Sequence, residues 1–153
     1  MLRNRSLITT ILFACFLFAN IGIATAGMEE DILALINKHR AKKGLSQLTD
    51  NRQIANAADK HSKDMASRRV GFGHSGFDGR MDKIMKGMTG ATGCAENVAY
   101  GAETAEEVVK MWLKSPGHKK NIEGNYNYSG IGIAKDKNGT LYFTQIFIKA
   151  KGD

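Results

Sequence analysis

The sequence predicts an α+β domain, with helices leading and a β-hairpin closing the chain. Three features carry this reading: helical periodicity in the first half, a glycine-rich middle, and two alternating stretches around an Asn-Gly pair near the end. Ile32, Leu35, Ile36 and His39 share one helical face across Glu29 to Ala41, and Gly44 follows as a stop. Asp50 is the expected cap of a second helix, with Ile54, Ala57 or Ala58, His61 and Met65 on its inner face and an end near Arg69. Val70 to Gly101 holds eight glycines, too many for regular structure, and reads as shaped loops around a short helix at Arg80 to Lys86. Thr104 and Glu107 form a capping box for a third helix through Val108, Met111 and Trp112. Ser115 as cap and Pro116 in the first turn start a short fourth one. Ile131 to Ala134 and Thr140 to Ile148 are the hairpin strands, turning at Asn138-Gly139.

The N-terminus has the three parts of a cleavable export signal in order. Arg3 and Arg5 are basic, Leu7 to Ile23 is apolar, and Ala24-Thr25-Ala26 supplies the small-residue cleavage pattern. The division expected is therefore a signal over 1–26 and one domain over 27–153, secreted or periplasmic. A retained anchor is the rival, since the apolar run approaches the ~18 residues of a spanning helix. The polar start at Glu29, Glu30 and Asp31 argues for cleavage.

Charge and cysteine content narrow the rest. The formal charge of +7 falls to +5 once Arg3 and Arg5 leave. The remaining cations come in scattered pairs without interleaved aromatic residues, which excludes nucleic acid as the expected partner and leaves weak association with an anionic envelope surface. Cys15 leaves with the signal, so Cys94 is alone and forms no internal disulfide. A monomer is expected, with a Cys94-linked dimer as the alternative.

Four histidines are available for chemistry. His39 and His61 fall within helical patterns and read as structural, His61 as a neutral core histidine. His74 lies in a glycine-rich loop and His118 in the first turn of a short helix, where side chains are presented rather than packed. Glu96 stands in the glycine-rich stretch, and the capping box alone accounts for Glu107. No H-E-x-x-H, phosphate loop or G-x-S-x-G element fixes a reaction.

At these segments the sequence resembles the CAP superfamily, the cysteine-rich secretory, antigen 5 and pathogenesis-related proteins, in its cysteine-poor bacterial branch. The landmarks are Asn37-Lys38-His39-Arg40; His61 to Ala66 and then Gly71 to Ser75; Glu96 to Gly101; Trp112 leading into Ser115-Pro116-Gly117-His118 and Asn121-Ile122; and Gly130 to Ala134 with Tyr142 to Phe147. Each is weak alone, and together they cover about Ile32 to Ile148. The resemblance implies an α-β-α sandwich with a central antiparallel sheet between helical layers. It also implies a cleft tetrad of His74, Glu96, Glu107 and His118, with Ser75, Asn97, Tyr142 and Gln145 as neighbours. Tyr142 stands where many eukaryotic relatives place the histidine of H-[FY]-T-Q, and His118 is its substitute here.

In some members such a cleft binds a divalent metal, so zinc or another divalent cation on the four tetrad residues is the cofactor the resemblance implies, with no cofactor as the alternative. Two imidazoles and a carboxylate suit zinc at neutral pH, and paired carboxylates need a cation, a shared proton or hydrogen bonds. The functional expectation is an exported binding module for a lipid, glycan or protein. The alternative is a hydrolase, with His74 or His118 as base and Ser75, Ser115, Cys94 or metal-bound water as nucleophile.

Overall fold

The structure is a computed structural model that describes residues 21–151, with side chains from Gly27. The expected signal falls largely outside the described residues; the backbone of its last part, Ile21–Ala26, continues the first helix. That helix, α1 (Ile21–Lys42), therefore begins earlier than Glu29. No helix among the described residues is long and apolar enough to cross a membrane. The remaining elements in chain order are β1 (Thr49–Asp50), α2 (Arg52–Ala66), α3 (Phe77–Lys86), β2 (Gly93–Tyr100), α4 (Ala105–Lys114), α5 (Pro116–Ile122), β3 (Tyr128–Lys135) and β4 (Leu141–Lys149).

Four strands form one sheet in the order β1-β3-β4-β2, sandwiched between helical layers as the family pattern implies. The sheet is mixed rather than wholly antiparallel, because β1 runs parallel to β3. Side chains alternate across the pleat, so the two faces build two cores. Ile54 and Ala58 of α2 and Met81 and Ile84 of α3 pack on Ile146 and Ile148. On the other face Ile32 and Ile36 of α1, with Val108 and Trp112 of α4, pack on Ile133, Phe143 and Phe147.

The α2 layer lies unusually close to the sheet. Gly130 and Gly132 of β3 pass directly beneath the α2 backbone, where a Cβ would overlap main-chain atoms of Ile54 and Ala55, and of Ala58 and Asp59. Ser62 Oγ bonds the carbonyl of Gly132 at 2.9 Å and Thr144 Oγ1 at 2.8 Å, so the contact is polar as well as tight. On the far side Arg40, 2% exposed, donates to the carbonyls of Ser46, Ile122, Gly124 and Tyr126. It ties the end of α1 to the segment after α5, which gives the Asn37 to Arg40 landmark a structural duty. His39 is structural too, its Nε2 lying 2.8 Å from Glu123 Oε1.

Several local expectations need correction. The cap of α2 is Asn51, whose side chain accepts from Gln53 N and Ile54 N, because Asp50 is held in β1 against Ser129. The glycine-rich stretch is not all loop: α3 starts at Phe77, and Gly93 to Tyr100 is a strand whose only glycine is its first residue. Ser115 occupies the cap position of α5 but makes no side-chain capping bond, leaving Pro116 as the start signal. The hairpin turn is wider than an Asn-Gly pair. Asp136 N donates to Thr140 O at 2.9 Å, the Asp136 carboxylate accepts from Asn138 N and Thr140 N, and Gly139 takes φ 91°.

Candidate binding cleft at the edge of the sheet

β2 is an edge strand, and its exposed carbonyls are answered by side chains from α4 and α5. Trp112 Nε1 donates to Val98 O at 3.3 Å, and Asn121 Nδ2 to Glu96 O at 3.2 Å. This covering holds β2 between α5 on one side and the His74 loop on the other. Asn97 joins the covering, donating to His118 O at 3.1 Å and accepting from Asn121 at 2.9 Å.

Glu96 is the centre of the cleft, with a side chain that has no exposed surface. Arg80 of α3 grips it as a fork, Nε to Oε2 at 2.8 Å and Nη2 to Oε1 at 2.9 Å. His74 Nδ1 lies 3.0 Å from Oε1. His61 Nε2 approaches the same oxygen at 3.9 Å but bonds Gly73 O at 2.8 Å, fixing the loop that carries His74. A buried carboxylate requires a compensating charge, and here the chain supplies its own in Arg80. Sequence reasoning placed Arg80 only at a helix start; the signal available was that a buried Glu96 must find a cation.

The structure brings His74 and Glu96 together and places His118 within the electrostatic reach of His74. It leaves Glu107 elsewhere. Glu107 is exposed at the start of α4, where Thr104 Oγ1 accepts from its N at 3.2 Å and its carboxylate accepts from Glu103 N at 2.8 Å. That is a helix cap displaced by one residue from the usual box. Among the described residues no three of His, Cys, Asp and Glu converge as a metal-holding group. Both Glu96 oxygens are engaged by Arg80, whose guanidinium takes the place a cation would need. The donor set therefore does not fit a divalent metal, zinc included.

The other expected neighbours divide by face. Tyr142 shares the Glu96 face of the sheet, whereas Asn97 and Gln145, paired across β2 and β4, point to the opposite one. Gln145 is buried there and donates to Ser129 Oγ at 3.0 Å. Ser75 contributes its carbonyl to Arg80 at 3.2 Å. No hydroxyl or thiol hydrogen-bonds a histidine among the described residues, so neither Ser75 nor Ser115 forms a nucleophile–base pair. Burial, with Asp78 and Asp82 close by, pushes the Cys94 thiol up and makes it a poor nucleophile.

Two cleft histidines are held neutral. Burial lowers the His61 pKa, with the Arg80 charge adding to it; burial and then the His74 charge lower that of His118. An unfolded imidazole has its ordinary value near 6.5, so on acidification the unfolded chain takes up these protons before the folded one does. Stability is complete above that value and falls as pH drops through it toward the lowered folded values. Thermal melts at pH 7.5 and pH 5 should show a lower melting temperature at pH 5, with the difference reduced in His118→Asn. Equal melting temperatures would contradict it. The Asp64 carboxylate, held low by Lys60, loses its contribution only in stronger acid.

Beside the cleft, between α2 and α3, runs a groove of about 800 Å³. Ala57, Val70 and Ile84 form apolar wall, and Arg52, Lys60 and Lys83 bring positive charge to it. His61, Ser75 and Arg80 line the end that meets the cleft.

The cysteine-rich secretory protein family model, CAP, matches residues 33–147. The chain belongs to the CAP family. The uncharacterized protein YkwD of Bacillus subtilis (strain 168) is 35% identical over 127 residues, covering 82% of this chain and 48% of YkwD. An extracellular SCP-domain protein from Bacillus anthracis has a TM-score of 0.68 and 29% identity, covering 81% of this chain and 41% of that one. An outer surface protein from Borrelia burgdorferi shares the fold at a TM-score of 0.68 and 23% identity, covering 81% of this chain and 96% of its own. The chain thus spans about half the length of YkwD, with a CAP domain as its matched part.

Proposed function

We propose that this CAP domain is an exported binding module that takes an acidic amphiphile in the groove between α2 and α3. The groove supports the reading most directly: its volume of about 800 Å³ is ligand-sized, its wall is apolar, and its charge is positive. Arg52 and Lys83 enter no ion pair among the described residues, so both are free to meet a carboxylate or phosphate head, whereas Arg80 is committed to Glu96. Export is supported by the tripartite N-terminus and by relatives described as extracellular or outer-surface proteins. Binding is favoured over hydrolysis because the cleft pairs its carboxylate internally and presents no nucleophile–base pair among the described residues.

Titration of a fluorescent long-chain fatty acid tests this reading. Wild type should bind it saturably at one site. Ala57→Trp, which fills the groove, should weaken binding at least about tenfold, or ~1.4 kcal/mol. Lys83→Glu should weaken binding of the acid and spare that of its methyl ester. No saturable binding by wild type, or unchanged affinity in a normally melting Ala57→Trp, would overturn it.

A further inference from the structure

α2 lies over the sheet at Ser62, which bonds Thr144, and ends one turn later at Ala66 beside Ala134. The next row outward on the same face is Ala134, Tyr142 and Tyr100, paired side by side across β3, β4 and β2. On this row Tyr100 is exposed and Tyr142 half-buried. Their rings stack at 5.8 Å with a 21° tilt, and Phe72 of the His74 loop stands edge-on against Tyr100 at 4.7 Å and 68°. Phe72 and Tyr100 are each 52% exposed, and neither belongs to a core cluster. Aromatic residues set out in this way form a shelf rather than a core.

Ala134 also lines a second feature, a cleft of about 550 Å³ between the end of α2 and the hairpin. Lys63, Arg68, Arg69, Lys135 and Lys137 surround it. The carboxylate there, Asp136, is occupied by its own turn. Lys63 pairs with Asp59 and Arg69 with Asp64, whereas Arg68, Lys135 and Lys137 enter no ion pair among the described residues. Arg68 has φ 58°, the position after a helix end where glycine is normal, and an arginine there costs about 1 kcal/mol. The negative end of α2 accounts for cations in its last turn, but not for Lys135 and Lys137 on the hairpin.

We infer that this corner binds an anionic glycan, a sugar ring packing against the aromatic group of Phe72, Tyr100 and Tyr142 while its carboxylate or phosphate is held by Arg68, Lys135 and Lys137. Sugar rings present flat C–H faces to aromatic rings, and the adjoining cleft supplies complementary charge. An acyl chain needs depth that the open shelf lacks. A nucleic-acid strand needs cations alternating with aromatic rings along a track, and here they gather in one cleft beside the shelf. The site is separate from the α2–α3 groove, so either can fail without the other.

Calorimetric titration of an oligogalacturonide should give saturable binding that weakens with added salt. It should be at least about tenfold tighter than a neutral oligosaccharide of equal length, inorganic polyphosphate or a single-stranded oligonucleotide. Tyr100→Ala and Phe72→Ala should each weaken it several-fold, Phe72 being an exposed loop residue whose loss leaves the fold intact. Arg68→Gly should weaken it while holding or raising the melting temperature, since glycine relieves the backbone. Absence of saturable binding, equal or tighter binding of any comparison ligand, or unchanged affinity in both aromatic variants would overturn the site.

Discussion

Gly132→Ala should destabilise the protein by about 3 kcal/mol or more and leave a fraction of it unfolded at ambient temperature. The added methyl has nowhere to go. It would overlap the main chain of Ala58 and Asp59, and a backbone cannot swing aside as a flexible side chain does. Relief requires α2 to lift from β3, and three things are lost with it. Ile54 and Ala58 separate from Ile146 and Ile148, Ser62 moves off Gly132 O and Thr144, and the groove against α3 changes shape. Gly139→Ala is the control, since that glycine has open space around it and pays only for its positive φ. Urea unfolding should separate the two by a wide margin. A Gly132→Ala midpoint within the range of Gly139→Ala would show that α2 is not held by close backbone contact.

That contact also shows what the sequence could and could not disclose. The Ile131-Gly132-Ile133-Ala134 stretch was legible as a strand, but not the reason for Gly132 or for Gly130 before it, which lies in a helix far earlier in the chain. The capping box of α4 was legible because its signal is local: Thr104 and Glu107 are three residues apart, and Thr104 Oγ1 accepts from Glu107 N as the pattern says, while the Glu107 carboxylate answers Glu103 N in place of Thr104 N. β2 was hidden by counting glycines over a window that mixed a loop with a strand. From Cys94 onward the residues alternate between the two cores, a period the glycine count obscured. β1 is two residues long and carries no periodicity at all; only its pairing with Tyr128 and Ser129 defines it. In the site, His74 and Glu96 were assigned to one cleft and lie 3.0 Å apart, yet the fourth member differs. Glu107 satisfied its own helix, and the group that completes the centre is a cation from α3 rather than a second carboxylate.

Removing that cation is the second change with a large expected effect. Arg80→Met should cost about 3–5 kcal/mol, because it strands the Glu96 carboxylate, whose side chain is wholly buried, without its fork of donors. Lost packing contributes less, since methionine retains most of the aliphatic stem and the Arg80 side chain is itself 13% exposed. His74 cannot take over the pairing: it makes one contact to one oxygen from a half-exposed loop position. His61 is already bonded to Gly73 and is held neutral by burial. The double variant Arg80→Met with Glu96→Leu removes both charges and should recover most of the loss, so that the two changes are strongly non-additive. A double-mutant cycle on urea midpoints measures this coupling. Additive losses, or an Arg80→Met cost below about 1 kcal/mol, would show that the guanidinium sits beside Glu96 without neutralising it. A divalent metal in the cleft would then regain a physical basis, because a carboxylate that does not depend on Arg80 remains open to another cation.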